Sequence, residues 1–163
     1  MLRRFLAFAL VALVVPAAAL AQSRVGNAIG PRVGLSSDPD QLVLGGQLDL
    51  GELAPDITFT PNLEFGFGDD FLVVAVNGDL HYHFLIQGSQ WRPYVGGGLG
   101  INFIDWDAPA WYRGDTSETE VGANLILGAI VPTRTGSRFF TEMKFGIGDI
   151  PEFKWLVGWN FGM

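Results

Sequence analysis

The chain has 163 residues, with 17 acidic against 10 basic side chains, 22 glycines and no cysteine. The acidic excess leaves no Lys/Arg footprint for a nucleic acid, and the lack of cysteine excludes disulfide scaffolds, thiolate zinc sites and cysteine nucleophiles. The chain is nonetheless 48% hydrophobic and only 17% charged, too few charges to dress a water-facing surface.

The first segment reads as an address. Arg3 and Arg4 give a positive start, Phe5 to Val15 is an unbroken apolar run, Pro16 ends it, and Ala19-Leu20-Ala21 supplies a small-x-small cleavage site before Gln22. The apolar run is far short of the ~20 residues that a spanning helix needs. Residues 1–21 are therefore expected to be a cleaved signal peptide and residues 22–163 a single exported domain. Without Arg3 and Arg4 the net charge moves from −7 to −9.

Beyond Gln22, apolar residues recur with period two, the pattern of strands whose two faces meet different surroundings. In chain order the predicted strands are 25–35, 42–51, 57–68, 72–84, 93–103, 120–131, 138–147 and 153–163. The third is the cleanest, with Ile57, Phe59, Pro61, Leu63, Phe65 and Phe67 on one face and Thr58, Thr60, Asn62 and Glu64 on the other. The second sets Leu42, Leu44, Leu48 and Leu50 against Gly45, Gln47, Asp49 and Gly51. The last sets Phe153, Trp155, Val157, Trp159, Phe161 and Met163 against Lys154, Leu156, Gly158 and Asn160. Pro31 and Pro61 fall inside strands and are expected at bulges or strand ends. Short Gly/Asp/Pro/Ser links make consecutive strands antiparallel neighbours. The fold class that follows is all-β: an eight-stranded antiparallel up-and-down barrel, which leaves no free edge.

Volume decides which face points out. Eight strands enclose a bore just wide enough for side chains to fill, and the large apolar sets of all eight strands exceed it. Most of the 22 glycines share the polar face, which suits a crowded interior better than a wet surface. Aromatic residues gather near strand ends, Phe67, Phe71, Phe103, Trp106 and Phe153 at one rim and Tyr82, Phe84, Trp91, Trp159 and Phe161 at the other, as in interfacial girdles. The apolar face is thus expected to meet lipid, making this a transmembrane barrel. The lumen is expected to hold a charge network of Arg32, Asp49, Glu64, Asp79, His81, His83, Glu120, Glu142, Lys144 and Lys154, because buried charges need partners. His81 and His83 share one face at a spacing suited to a metal; the plainer reading is two hydrogen-bonded lumen histidines.

The export signal, the alternating strands and the closing Gly158-Trp-Asn-Phe161-Gly-Met163 resemble the small bacterial outer-membrane β-barrels of the OmpA transmembrane domain, OmpX and OmpW kind. The resemblance implies a porin-type outer-membrane location in a Gram-negative-type cell envelope and a monomer in contact with lipid and lipopolysaccharide. It also implies a membrane-insertion signal, made of Gly158, Trp159, Phe161 and Met163, read by the barrel-assembly machinery. Met163 stands where that family usually ends in Phe, and Leu156 where a polar residue is usual. Both termini would face the periplasm, so links 36–41, 68–70, 105–118 and 148–152 would face outward, and no further domain is expected after the eighth strand. The role implied is structural, envelope-integrity or surface-interaction, with a side-chain-filled lumen. The alternatives are a narrow OmpW-like pore for small molecules and a soluble lipocalin-like ligand carrier. No enzyme is expected, since serines lie only at a terminus or in links, and no cofactor beyond divalent cations at the acidic outer loops, for which Asp105, Asp107, Asp115 and Glu118 are the candidate ligands.

Overall fold

The computed structural model describes residues 27–106 and 116–163; the expected leader, 1–21, and residues 107–115 lie outside the described residues. The strands in chain order are β1 (Ala28–Ser37), β2 (Gln41–Asp49), β3 (Glu52–Ala54), β4 (Ile57–Phe67), β5 (Phe71–His83), β6 (Arg92–Trp106), β7 (Ser117–Pro132), β8 (Arg138–Gly148) and β9 (Phe153–Gly162). All pairings are antiparallel between neighbours, and β1 bonds both β2 and β9, which closes the sheet. We name the end bearing links 38–40, 68–70, 149–152 and the β6–β7 connection the outer end.

The wall has eight staves, because β3 continues β2 after a break. The β2–β4 ladder stops at Gln47 opposite Asn62, one residue short of Pro61, which has no N–H to offer. The chain then turns through Gly51 at φ 74, whose N–H donates to Asp49 Oδ1 at 3.0 Å, and β3 resumes beside β4. The alternation slips at this break. Leu50, expected on the outward face beside Leu48, is buried together with its neighbour Asp49. Pro31 leaves a similar mark, since the β1–β9 ladder passes over Gly30 and Pro31 between Ile29 and Arg32.

The register also measures the barrel. Stepping between paired residues from Ile130 through Phe140, Gly158, Arg32, Gly45, Glu64, Ala75 and Asn102 returns to β7 at Glu120. The path comes back ten residues from its start. A shear of ten on eight strands tilts them by about 40° and sets a backbone radius of about 8 Å. A ten-residue strand then climbs about 25 Å, the height of the apolar band of a membrane barrel.

Burial is inverted relative to a water-soluble protein. Among the described residues 19 polar or charged residues are buried against 11 apolar ones, while Leu99, Val121, Leu125, Ile147 and Trp155 are each more than half exposed on the outer wall. A soluble ligand-carrying barrel has the opposite arrangement, with its apolar face inside. Outward aromatic pairs stack near the rims, Phe145 with Phe153 at 5.4 Å and Phe139 with Trp159 at 5.2 Å between centroids. Two of the expected girdle residues do not belong there. Phe71 shares a face with buried Val73 and Ala75 and is paired with Trp106, so both rings line the inside of the outer mouth. Their position along the strand suggested a girdle, but their parity puts them indoors.

Candidate functional site

The middle of the bore is filled by an ion-pair network centred on Arg32 of β1. Its Nη1 donates to Glu64 Oε1 at 2.9 Å and its Nη2 to Glu142 Oε1 at 2.6 Å. Glu64, on β4, also accepts from Lys154 Nζ at 2.8 Å and Lys144 Nζ at 3.4 Å. Lys144 reaches Asp79 Oδ2 at 2.6 Å, and the same oxygen accepts from Asn62 Nδ2 at 2.7 Å. The second oxygen of Glu142 accepts from the Tyr94 hydroxyl at 2.8 Å and faces His81 Nε2 at 3.6 Å. Three cations thus meet three carboxylates, and the bridges tie β1, β4, β5, β6, β8 and β9 across the bore. All six charged side chains are almost wholly buried, a condition that is tolerable only because each has an opposite charge in contact and all but Lys154 have further partners.

Beside this network lies an apolar sector of Tyr94, Ile126, Ile130 and Phe140. Each of its two rings stands opposite a glycine on the neighbouring strand, Phe140 opposite Gly158 and Tyr94 opposite Gly128. A Cβ at Gly158 would come within 2.6 Å of the Phe140 ring, and one at Gly128 within 2.2 Å of the Tyr94 ring. These glycines are sockets for the rings, which accounts for part of the glycine excess. The Arg32 guanidinium carbon lies 5.6 Å from the Phe140 centroid, so charge and ring also attract one another.

Toward the inner end, His83 Nε2 lies 3.0 Å from Thr58 Oγ1, and His81 Nδ1 lies 3.5 Å from Thr60 Oγ1. The histidine rings face the lumen 6.3 Å apart. Among the described residues no three metal-ligating side chains converge. Asp49 pairs with Arg138 at 3.4 Å and Gln47 Nε2 donates to Asn160 Oδ1 at 2.8 Å.

Of the ten predicted lumen residues, seven meet in the network or on its edge: Arg32, Glu64, Asp79, His81, Glu142, Lys144 and Lys154. Asp49 and His83 make separate contacts at the inner end, and Glu120 stands half-buried at the outer mouth, opposite Asn102. Of the candidate cation ligands, Asp105 pairs with Ser117 and Glu118 with Ile104, so they project from opposite faces of the sheet. Asp107 and Asp115 lie outside the described residues. At the C-terminus Gly158 points inward, Trp159 and Phe161 point outward, and the Met163 N–H donates to Asn27 O at 2.9 Å. Sequence reasoning placed Asn62 on the polar face but missed Tyr94, Ile126, Ile130 and Phe140 as lumen members. Parity was their signal, since Ile126 and Ile130 flank Gly128 on the glycine-bearing face.

A closed eight-stranded antiparallel barrel, apolar outside and ionic within, defines the architecture of the small outer-membrane β-barrels. Comparison with solved structures gives the same fold. The N-terminal β-barrel domain of Pseudomonas aeruginosa OprF aligns with a TM-score of 0.67 at 20% identity, over 86% of this chain and 100% of that domain. Neisserial surface protein A aligns at 0.62 and 14% identity, over 84% of this chain and 95% of that one. The outer-membrane enzyme PagL aligns at 0.50 and 10% identity, over 83% and 99%. No family model and no curated protein sequence matches the chain.

Proposed function

We propose that this protein is a monomeric outer-membrane barrel that serves as a structural or surface-interacting element of the envelope, with a lumen closed to solute flow. The carrying observation is the Arg32–Glu64–Glu142–Lys144–Asp79–Lys154 network. Its charges balance, so it sets up no net field to draw in an ion, and its bridges run across the bore from wall to wall. A bore of about 8 Å backbone radius has no space for a water column beside such side chains. Export by the 1–21 leader, insertion through the C-terminal strand, and contact with lipid and lipopolysaccharide belong to the same reading, supported by the exposed apolar wall.

A non-enzymatic role is part of the proposal, although one barrel of this fold is named an enzyme. It is supported by the surroundings of the serines. The Ser36 hydroxyl donates to Pro39 O, and Ser137 is bound into its own turn with Thr133. Among the described residues no hydrogen bond joins a serine hydroxyl to a histidine, the pairing an activated nucleophile needs.

Conductance in a planar bilayer tests the closed lumen. Insertion of the refolded barrel is expected to give a silent membrane. Uniform unitary steps would overturn the reading in favour of a narrow pore.

A further inference from the structure

Outward of the network the bore opens into a cleft of about 330 Å³. Phe71, Ile104, Trp106 and Ile150 give it apolar walls, and Gln41 and Asn102 line it deeper in. These two amides are only 5% and 2% exposed, yet Gln41 Nε2 and Asn102 Nδ2 have no hydrogen-bond partner. Buried amide donors almost always have an acceptor, and here both lie on one cavity. Asp38, Glu120 and Asp149 border the same cleft, and Glu118 lies within electrostatic reach of Glu120. Among the described residues none of these acids has an ion-pair partner. The cleft is also built rather than loose: the Glu152 N–H donates to Asp38 O at 3.4 Å, joining two outer links, and the Ile150 side chain lies over Gly122.

We propose that the cleft binds a small organic cation: a protonated amine joined to an apolar or aromatic group and carrying a carbonyl or hydroxyl oxygen. The ammonium faces the carboxylates, the oxygen accepts from Gln41 and Asn102, and the apolar part lies against Phe71 and Trp106, where a ring face also attracts positive charge. An inorganic divalent ion fits less well, because the acids are spread around the rim and do not converge. The inference goes beyond the proposed function and does not depend on the lumen being closed.

The test is titration calorimetry on the full barrel, refolded in detergent, with phenylalaninamide as the probe. Saturable binding is expected, weakened by about tenfold or more in Glu120→Gln, the size of a lost charge-assisted contact, and by about fivefold in Asn102→Leu, the size of a lost neutral hydrogen bond. N-acetylphenylalaninamide, which has the ring and carbonyl but no charge, is expected to bind at least about tenfold more weakly. Heat-modifiable gel mobility checks that each variant is folded. The inference is overturned by an absence of saturable heat with phenylalaninamide, by equal binding of the acetylated analogue, or by unchanged affinity in both folded variants. A barrel that conducts ions yet binds the probe with this selectivity removes the closed-lumen reading and leaves the cleft assignment standing.

Discussion

Two stretches of the same bore bury polar side chains to a similar depth and use them in opposite ways. In the middle, every charged side chain of the network has at least one ion-pair partner, and only single atoms of it, Arg32 Nε and Asp79 Oδ1, are left without a hydrogen bond. Glu64 alone takes Arg32, Lys144 and Lys154, and Glu142 takes Arg32 and Tyr94. At the outer mouth, Gln41 and Asn102 are as deeply buried as Lys154 and Asp49, and their amide nitrogens are unanswered. A satisfied polar group holds strands together; an unsatisfied one leaves a donor for something else to use. Burial alone does not distinguish a stabilising element from a receptive one, whereas partner accounting does.

The sharpest way to break this contrast is to remove the centre of the network. Arg32→Ala strands Glu64 and Glu142 without their shared partner, and uncompensated buried charge costs about 3–5 kcal/mol. Denaturant unfolding in lipid vesicles is expected to reveal a loss of that order, with part of it recovered when Glu142→Gln is added, which leaves Lys144 and Lys154 balanced by Glu64 and Asp79. An unchanged midpoint for the single variant would show that the network is an ornament of the wall and holds nothing together.

A somewhat smaller loss is expected from the apolar sector. Phe140→Ala empties the space over Gly158 and removes the ring beneath Arg32, for about 3 kcal/mol by the same unfolding measurement. Gly158 is the control for geometry. Filling the socket with Gly158→Ala while keeping the ring drives the new methyl against both the Pro31 carbonyl oxygen and the Phe140 ring and is expected to destabilise as well. The ring's share is read from the smaller loss that Gly158→Ala causes in a Phe140→Ala background. If the loss were the same in both backgrounds, the ring would not be seated on the glycine.

Much of the architecture was legible because alternation reports a side chain's face without any tertiary information. That is why Glu142 and Lys144, two apart on one strand, could be placed in the lumen together. Which charge meets which was not legible. Lys154 and Glu64 are 90 residues apart, and their meeting depends on a shear that only the full set of pairings defines. Parity was also the test that exposed the misplaced residues. Height along the barrel points Phe71 and Trp106 to a girdle, and alternation counted through the break that Pro61 imposes from the neighbouring strand points Leu50 outward. Apolar lumen residues such as Ile126 and Phe140 are not legible from polarity, because the bore is polar on only part of its circumference. The glycine sockets across the strand make room for them.

The smallest expected effect sharpens the comparison most. Asn102→Leu keeps the heavy-atom count and branching of a side chain that is 2% exposed, beside a cleft that can take the larger methyl groups, and deletes an amide whose nitrogen bonds nothing. Removing an unsatisfied donor in exchange for an apolar group of similar shape is close to neutral or mildly stabilising. The unfolding free energy of this variant is therefore expected to lie within about 0.5 kcal/mol of the parent, even though Asn102 is buried as deeply as Arg32. A loss of about 2 kcal/mol or more would mean that the Asn102 amide is engaged in holding the wall. The mouth would then be a continuation of the network rather than a cleft prepared for a ligand.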